Sequence, residues 1–310
     1  YFLDNDAAGN SIVSAQISNR DGTLSSAVKT PTGGNGLPQL AAVSQDSVVV
    51  SGNYLFNINA GSNTVSLFGI NPSNPLHPYL IGEPAPSLGH IPVSVTYSQE
   101  LNMACVVNGG DVAGVACFSV DSKRGLRNLG PLRSIPQPPG AAPPPVGPLI
   151  ITGDITFDSS SSALFTTVMS ANGGPGSLYA YPVIDRQVSH TLVNNTVDAL
   201  TIPFSLNFLG SDNKLIVTNP HNGSPGAALL DISPSLQIVD EKLITIPGQE
   251  ASCWVAEALE YDTLFIMDAA RPTITIVDSR DGAIKGQFSF ETPAAGAMDT
   301  KVDRNTLYTI

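Results

Sequence analysis

The strongest constraint on what this chain can fold into is a repeat, most legible in residues 92–136. Residues 93–98 alternate apolar and polar, and a polar break follows at Gln99-Glu100. Residues 103–107 are almost wholly apolar, Asn108-Gly109-Gly110-Asp111 makes a turn, and residues 114–120 are apolar again. Asp121-Ser122-Lys123-Arg124-Gly125 is a second turn, ahead of a weaker extended stretch over 126–135. Period-2 apolar runs cut by Asn, Gly and Asp predict strands joined by hairpins, because those residues tolerate the positive φ of tight turns. The unit is a four-stranded antiparallel meander of about 45 residues, the size of one propeller blade.

The second turn recurs as Ser18-Asn19-Arg20-Asp21-Gly22 and as Asp278-Ser279-Arg280-Asp281-Gly282. Each copy follows an apolar strand and ends on the Gly that a left-handed position needs. An alternating strand, a polar break and an apolar strand recur at 47–58, 93–107, 154–168, 204–218, 254–267 and 298–310. Successive copies lie roughly 43 to 60 residues apart, the spacing of blades with variable loops. The expected fold is therefore all-β, one propeller of four-stranded antiparallel blades. Residues 1–38 form a partial blade, 39–91, 92–150, 151–203, 204–250 and 251–293 full blades, and 294–310 a partial last blade. Seven blades are expected, with roughly forty further residues after Ile310; six is the alternative, with residues 298–302 supplying the first strand of the opening blade. The Pro-rich stretch 137–145 reads as a loop between blades.

Only 13% of residues are charged, and no long amphipathic helical pattern competes with the strands. The net charge of −12 argues against nucleic acid or an anionic membrane as main partner. No apolar run approaches the ~18 residues of a membrane span. A chain starting at Tyr1 inside a strand, with sequons at Asn194-Asn195-Thr196 and Asn222-Gly223-Ser224, reads as a secreted mature form. An N-linked glycan is expected at Asn194, and Asn222 is the weaker acceptor because Pro225 follows its triplet. Cys105 and Cys117 fall on adjacent strands, symmetric about Asp111, so they face each other within disulfide reach. Cys253, beside Trp254, reads as a buried apolar thiol.

No nucleophile elbow, phosphate loop or zinc-protease helix is present, and no metal or cofactor is expected. In a propeller the first strand of each blade lines the central axis. Matching the repeats places Thr96, Thr156, Asn207, Glu257 and Thr300 in one column there. Glu257, the one acid of that set, suits a general acid or base, or a single cation ligand; the alternative is a hydrated structural column. His90, Asp154, Asp268 and Arg271 sit in loops at the mouth, from which a small-molecule ligand in the channel is within reach. Arg271 has the chemistry to clamp a carboxylate.

The wording of several segments resembles a known group. These are Tyr1-Phe2-Leu3-Asp4-Asn5 with Gly9-Asn10-Ser11-Ile12-Val13, Asn59-Ala60-Gly61-Ser62-Asn63-Thr64, and Pro92-Val93-Ser94-Val95. Cys105-Val106-Val107-Asn108-Gly109-Gly110 with Gly114-Val115-Ala116-Cys117-Phe118, and Gly248-Gln249 with Cys253-Trp254, complete the set. Together they resemble the secreted fungal propellers termed 3-carboxymuconate cyclase-like, of the lactonase-type seven-bladed family. The resemblance implies a seven-bladed propeller, fungal secretion and a lactone or muconate ligand in the channel. Enzymatic members carry a His-Pro-Arg-type stretch; here Gly89-His90-Ile91-Pro92 keeps the histidine and lacks the arginine. Two functions follow as expectations: a propeller that binds a small molecule or a surface partner without strong catalysis, or a lactone hydrolase or muconate-type cyclase using Glu257 and His90 as acid and base.

Overall fold

Strands with apolar residues on both faces need neighbours on both faces, and this requirement organises the chain. The computed structural model describes residues 1–38, 45–136, 151–170, 173–221, 223–291 and 296–309. The Pro-rich stretch 137–145 and Asn222 lie outside the described residues. Among them there is no α-helix, only β-strands and a single turn of 3-10 helix at Leu259–Tyr261. Among the described residues no helix is long and apolar enough to cross a membrane. The chain divides into two compact units, Tyr1–Ile151 and Thr152–Ile310.

The first unit holds three antiparallel sheets. Strands β1 (Phe2–Leu3), β2 (Ser11–Ile17) and β3 (Leu24–Pro31) form a three-stranded sheet. The second sheet runs β4 (Val48–Ser51), β5 (Tyr54–Asn59), β6 (Thr64–Gly69) and β7 (Tyr79–Leu80), with β8 (Ala85–Pro86) also on β6. The third runs β9 (Pro92–Ser98), β10 (Met103–Asn108), β11 (Gly114–Asp121) and β12 (Gly125–Asn128). The weak fourth stretch of that meander is in fact two pieces, because β13 (Arg133–Ser134) returns to pair with the start of β11.

The second unit begins with β14 (Thr152–Phe157), β15 (Ala163–Val168), β16 (Gly176–Ile184) and β17 (Gln187–Val188), with β18 (Val193–Val197) on β16. The fifth sheet is β19 (Leu206–Phe208), β20 (Lys214–Thr218), β21 (Ala227–Ile232) and β22 (Ile238–Ile244). The sixth is β23 (Ser252–Ala258), β24 (Thr263–Asp268), β25 (Thr273–Asp278) and β26 (Ile284–Ser289). A hairpin of β27 (Thr300–Asp303) and β28 (Thr306–Thr309) completes the described residues. The repeating unit is thus a four-stranded antiparallel meander in the order of the chain, with a three-stranded sheet first and a two-stranded one last.

Each sheet packs on the next within its unit. Ala116, Phe118 and Val120 of β11 join Phe56, Ile58, Val65 and Leu67 of the second sheet in one apolar cluster, beside a Phe56–Tyr97 stack at 4.7 Å. Ala228, Leu230 and Ile232 of β21 pack in the same way on Phe165, Leu178 and Ala180. Every residue of β10 and of β15 is buried, which is why both read as continuous apolar runs instead of alternating ones. The recurring turn is built as its wording predicts. Gly22, Gly125 and Gly282 have φ of 73°, 85° and 70°, and Asp121 Oδ1 accepts the Lys123 and Arg124 amides at 2.9 and 3.0 Å. Around the third copy, Asp278 is held well below the usual carboxylate range, chiefly by hydrogen bonds from Arg280.

Cys105 and Cys117 are direct register partners and are disulfide-bonded, with Cα atoms 4.1 Å apart. Replacing both with Ala is expected to cost up to about 3 kcal/mol in urea unfolding, the loop-closure value for so short a ring. Cys253 is buried, and burial pushes its thiol up to about 12. Native protein at pH 8 should therefore resist iodoacetamide at this position and react only in denaturant. Mass spectrometry after a timed quench would check this, and rapid native labelling would contradict it.

Candidate functional site

The loops joining second to third strands are organised by a buried Asn or Asp that ends or directly follows the second strand. Asn59, Asn108, Asn219 and Asp268 hold this position, and Val168 replaces it in the fourth sheet. Asn108 donates from Nδ2 to the Ser87 and Gly114 carbonyls at 3.0 and 3.2 Å. Asn219 donates to Ser224 Oγ and the Pro225 carbonyl while its Oδ1 accepts the Ile202 amide. Asp268 Oδ1 accepts the Ala251 and Ala270 amides, both at 3.0 Å, and Oδ2 accepts that of Glu250 at 2.8 Å. Both of its oxygens are thus committed to ordering backbone. Asp154, fully buried, is used similarly: Oδ1 takes the Ile155 amide and Oδ2 the Leu206 amide, tying β14 to β19.

Two charged pairs stand on top of these caps at matching places. Asn108 registers with Pro92 and Asp268 with Ser252. His90 and Glu250 each lie two residues before that first-strand partner; Asp111 and Arg271 each lie three residues after the cap. His90 Nδ1 is 2.6 Å from Asp111 Oδ1, and Arg271 Nη2 is 2.7 Å from Glu250 Oε1. Both pairs are about half exposed. The His90 contact holds the Asp111 carboxyl below its ordinary value. The His90 loop is also strained: Leu88 and Ile91 have φ of 63° and 55°, uncommon for Leu and a genuine outlier for a β-branched residue. With Nδ1 turned to Asp111, the imidazole presents Nε2 as its remaining proton acceptor or donor.

The inner-strand residues do not all share one row. A bulge near the start of β9, β14 and β23 sets two residues against one of the neighbouring strand. In β14 it points the Gly153 and Asp154 amides together at Thr167 Oγ1, and a Cβ on Gly153 would lie 2.5 Å from the Phe204 carbonyl oxygen. Counted through the bulges, Thr96 opposite Cys105, Thr156 opposite Phe165 and Asn207 opposite Ile216 are equivalent. In β23 the equivalent residue is Ala256, opposite Phe265, and Glu257 is one place further on, opposite Leu264 and exposed. Thr300 is buried opposite Thr309 and donates to the Tyr308 carbonyl. In these sheets the row is therefore Thr96, Thr156, Asn207 and Ala256, without an acid. Two polar atoms on adjacent inner strands of the second unit, Thr152 Oγ1 and Asn207 Oδ1, are buried and have no hydrogen-bond partner among the described residues. Nor do any three His, Cys, Asp or Glu side chains there converge as a metal site would.

Sequence reasoning missed Asp111, Glu250 and the caps Asn59, Asn108 and Asn219, and it singled out Asp268 for reach to a ligand, not as a cap. The signal was present in the wording Asn59-Ala60-Gly61, Asn108-Gly109-Gly110 and Asp268-Ala269-Ala270, one polar residue ending each apolar run.

No protein-family model and no curated protein matches the chain. Solved structures do. A putative 6-phosphogluconolactonase from Bacteroides uniformis is similar with a TM-score of 0.65 and 11% identity, over 99% of this chain and 84% of that one. Hydrazine synthase of Kuenenia stuttgartiensis gives 0.57 at 11% identity over 89% and 75% of the two chains. The WD40 β-propeller domain of Doa1 gives 0.53 at 10% identity over 84% and 73%. At these identities the likeness establishes the fold, and the fold is the β-propeller.

The cap and the clip above it should separate on mutation. Asp268→Asn puts an amide group among three backbone donors and is expected to cost about 2–3 kcal/mol. Arg271→Ala removes an exposed ion pair and should cost under about 1 kcal/mol. Urea unfolding followed by the single, buried Trp254 reads both.

Proposed function

We propose that this chain is a secreted, seven-bladed, lactonase-like propeller of the fungal carboxymuconate cyclase-like kind, and that it binds a small polar molecule without appreciable turnover. The observation that carries the binding reading is unmet hydrogen-bonding capacity on inner strands: Asn207 Oδ1 and Thr152 Oγ1 are buried with no partner among the described residues. Such atoms call for a donor from a ligand or from water. The low catalytic power follows from how the polar groups nearby are spent. Asp154 and Asp268 hold backbone amides, Arg271 pairs with Glu250, and the inner-strand row contains no acid. Secretion is supported by the Cys105–Cys117 disulfide and by the exposure of Asn194 on the edge strand β18, where a glycan has room.

A second reading is favoured by one observation, the 2.6 Å His90–Asp111 contact in a strained loop. An oriented imidazole is what a lactone hydrolase or muconate-type cyclase needs as a base. The name of the Bacteroides neighbour makes lactones the natural probe for both readings.

A pH-stat panel of simple and carboxylated lactones, with and without divalent metal, separates them. The expected result is hydrolysis no faster than buffer, together with saturation-transfer NMR signals from at least one neutral lactone that vanish in Asn207→Ala. Turnover lost in both His90→Ala and Glu257→Gln would overturn the binding reading in favour of the hydrolase. NMR signals that are unchanged in Asn207→Ala would remove this residue from the site.

A further inference from the structure

The turn that recurs from sheet to sheet does not carry the same chemistry in each copy. Counted from the glycine that ends it, the residue two before is basic every time: Arg20, Lys123 and Arg280. The residue one before is Asp21 in the first copy and Asp281 in the third. Each turns Oδ1 to the amide two residues on, that of Thr23 at 3.2 Å and of Ala283 at 2.9 Å. This is the local bond for which Asp is favoured in turns. In the second copy the position holds Arg124, whose side chain has no acceptor to offer. Two residues after the glycine, where the other copies have Leu24 and Ile284, stands Arg127. The middle copy has thus exchanged an acid and an apolar residue for two guanidinium groups, and the turn itself asks for neither.

The cations of this copy are also unspent. In the third copy Arg280 pairs with Asp278 at 2.9 Å and with Asp262 at 3.2 Å, and Lys285 reaches Asp278 at 3.2 Å. Lys29 pairs with Asp4 and Arg271 with Glu250. Lys123, Arg124 and Arg127 are all exposed, and none of them makes an ion pair among the described residues. Asp121, which opens the turn, is held below its ordinary value chiefly by the Lys123 and Arg124 amides, with Arg124 and Arg127 adding their charge. The backbone beneath the three cations is fixed. A Cβ on Gly125 would lie 2.5 Å from the Ile81 carbonyl oxygen, and one on Gly82 would lie 2.4 Å from that of Arg124. Leu126 is buried in the same apolar cluster as Ile81. A rigid turn beside the edge strand β12 therefore holds out three cations from a chain whose net charge is −12.

We propose that the Lys123–Arg127 turn binds a linear acidic polysaccharide through its carboxylate or sulfate groups. Arg124 and Arg127 fork onto the anions, and Lys123 adds a point charge. The partner is slender for an electrostatic reason. The attraction of exposed cations extends only about 8 Å at physiological ionic strength, and past that distance an anion meets an acidic chain. A polymer one sugar wide stays within this reach. A membrane surface or a nucleic acid duplex would press its charge against the acidic surroundings as well. The proposal concerns an edge of the third sheet and is independent of the small-molecule reading, which concerns inner strands.

The test titrates the chain with a fluorescent heparin hexasaccharide, and with an uncharged dextran of similar length as control. Anisotropy should show saturable binding of the hexasaccharide alone, weakening several-fold as salt rises from about 0.05 to about 0.2 M. Arg124→Asp installs the residue that the other two copies carry, and should weaken binding by about tenfold or more. Its urea midpoint should stay at or above that of the wild type, because the new carboxylate serves the turn as Asp21 and Asp281 do. Arg127→Leu, the first copy's residue, should weaken binding in the same direction. Lys242→Ala, which removes an exposed cation from the fifth sheet, should leave it unchanged. No binding, equal binding of dextran, or binding that survives Arg124→Asp would overturn the proposal. A lowered urea midpoint in Arg124→Asp would overturn it too, by making Arg124 a residue of the fold. Tighter binding of duplex DNA or of phosphatidylcholine–phosphatidylserine vesicles than of the hexasaccharide would replace the polysaccharide with that partner.

Discussion

Two-sided burial of the central strands is the constraint on which the rest depends. When every residue of β10 and of β15 is out of water, the sheet containing it has no solvent face and is stable only between neighbours. Repetition is therefore a physical requirement of such strands. Truncating a side chain such as Phe165 would cost on the order of 3–5 kcal/mol, because both the lost transfer energy and the cavity count.

Apolar layers fix which strands pack, and buried polar groups fix how their ends are held. A strand that ends inside a two-sided interface brings its loop carbonyls and amides with it, and those groups need partners. The Asn/Asp caps supply them. Asp268 satisfies three amides with two oxygens, and Asn108 satisfies two carbonyls with one amide group. Whether the cap is Asn or Asp follows from whether the loop offers carbonyls or amides. An acid at this position is therefore poor evidence of chemistry.

The blade unit was legible from the wording of its turns, and the sheets follow it, with three strands first and two last. The reason is local: a Gly at positive φ after an Asp- or Ser-led turn admits few conformations. The inner-strand row was legible only in part. Thr96, Thr156 and Asn207 align because each lies opposite the residue three before the cap position of its second strand, whereas Glu257 lies opposite Leu264, four before Asp268. A bulge adds a residue without altering the apolar pattern enough to be seen, and with a period of two a one-residue slip moves a side chain to the other face. The disulfide was legible because its hairpin contains no such irregularity. The His90–Asp111 and Glu250–Arg271 pairs were hidden, since their partners are 21 residues apart and only the folded loops bring them together.

Those two pairs also indicate where function can reside in a repeat protein. The same position carries His with Asp in one sheet and Glu with Arg in another, so the scaffold requires a clip there but not a particular charge. Positions that recur report the fold, and their chemistry is explained once the loop is closed. Positions that break the recurrence need another explanation. Ile91 keeps a backbone conformation costly for its type. Asn207 turns an acceptor to a place where none of the described residues offers a donor. Asp154 stands where the equivalent residues are Ser94, Ser205 and Trp254, and it brings a carboxyl group into a site with no exposure. Stability alone would have favoured a smaller polar group there, because a buried carboxyl group costs more to desolvate than a hydroxyl. The inner strands around Asp154 and Asn207, not the symmetric loop clips, are where this chain departs from what its own repeat requires.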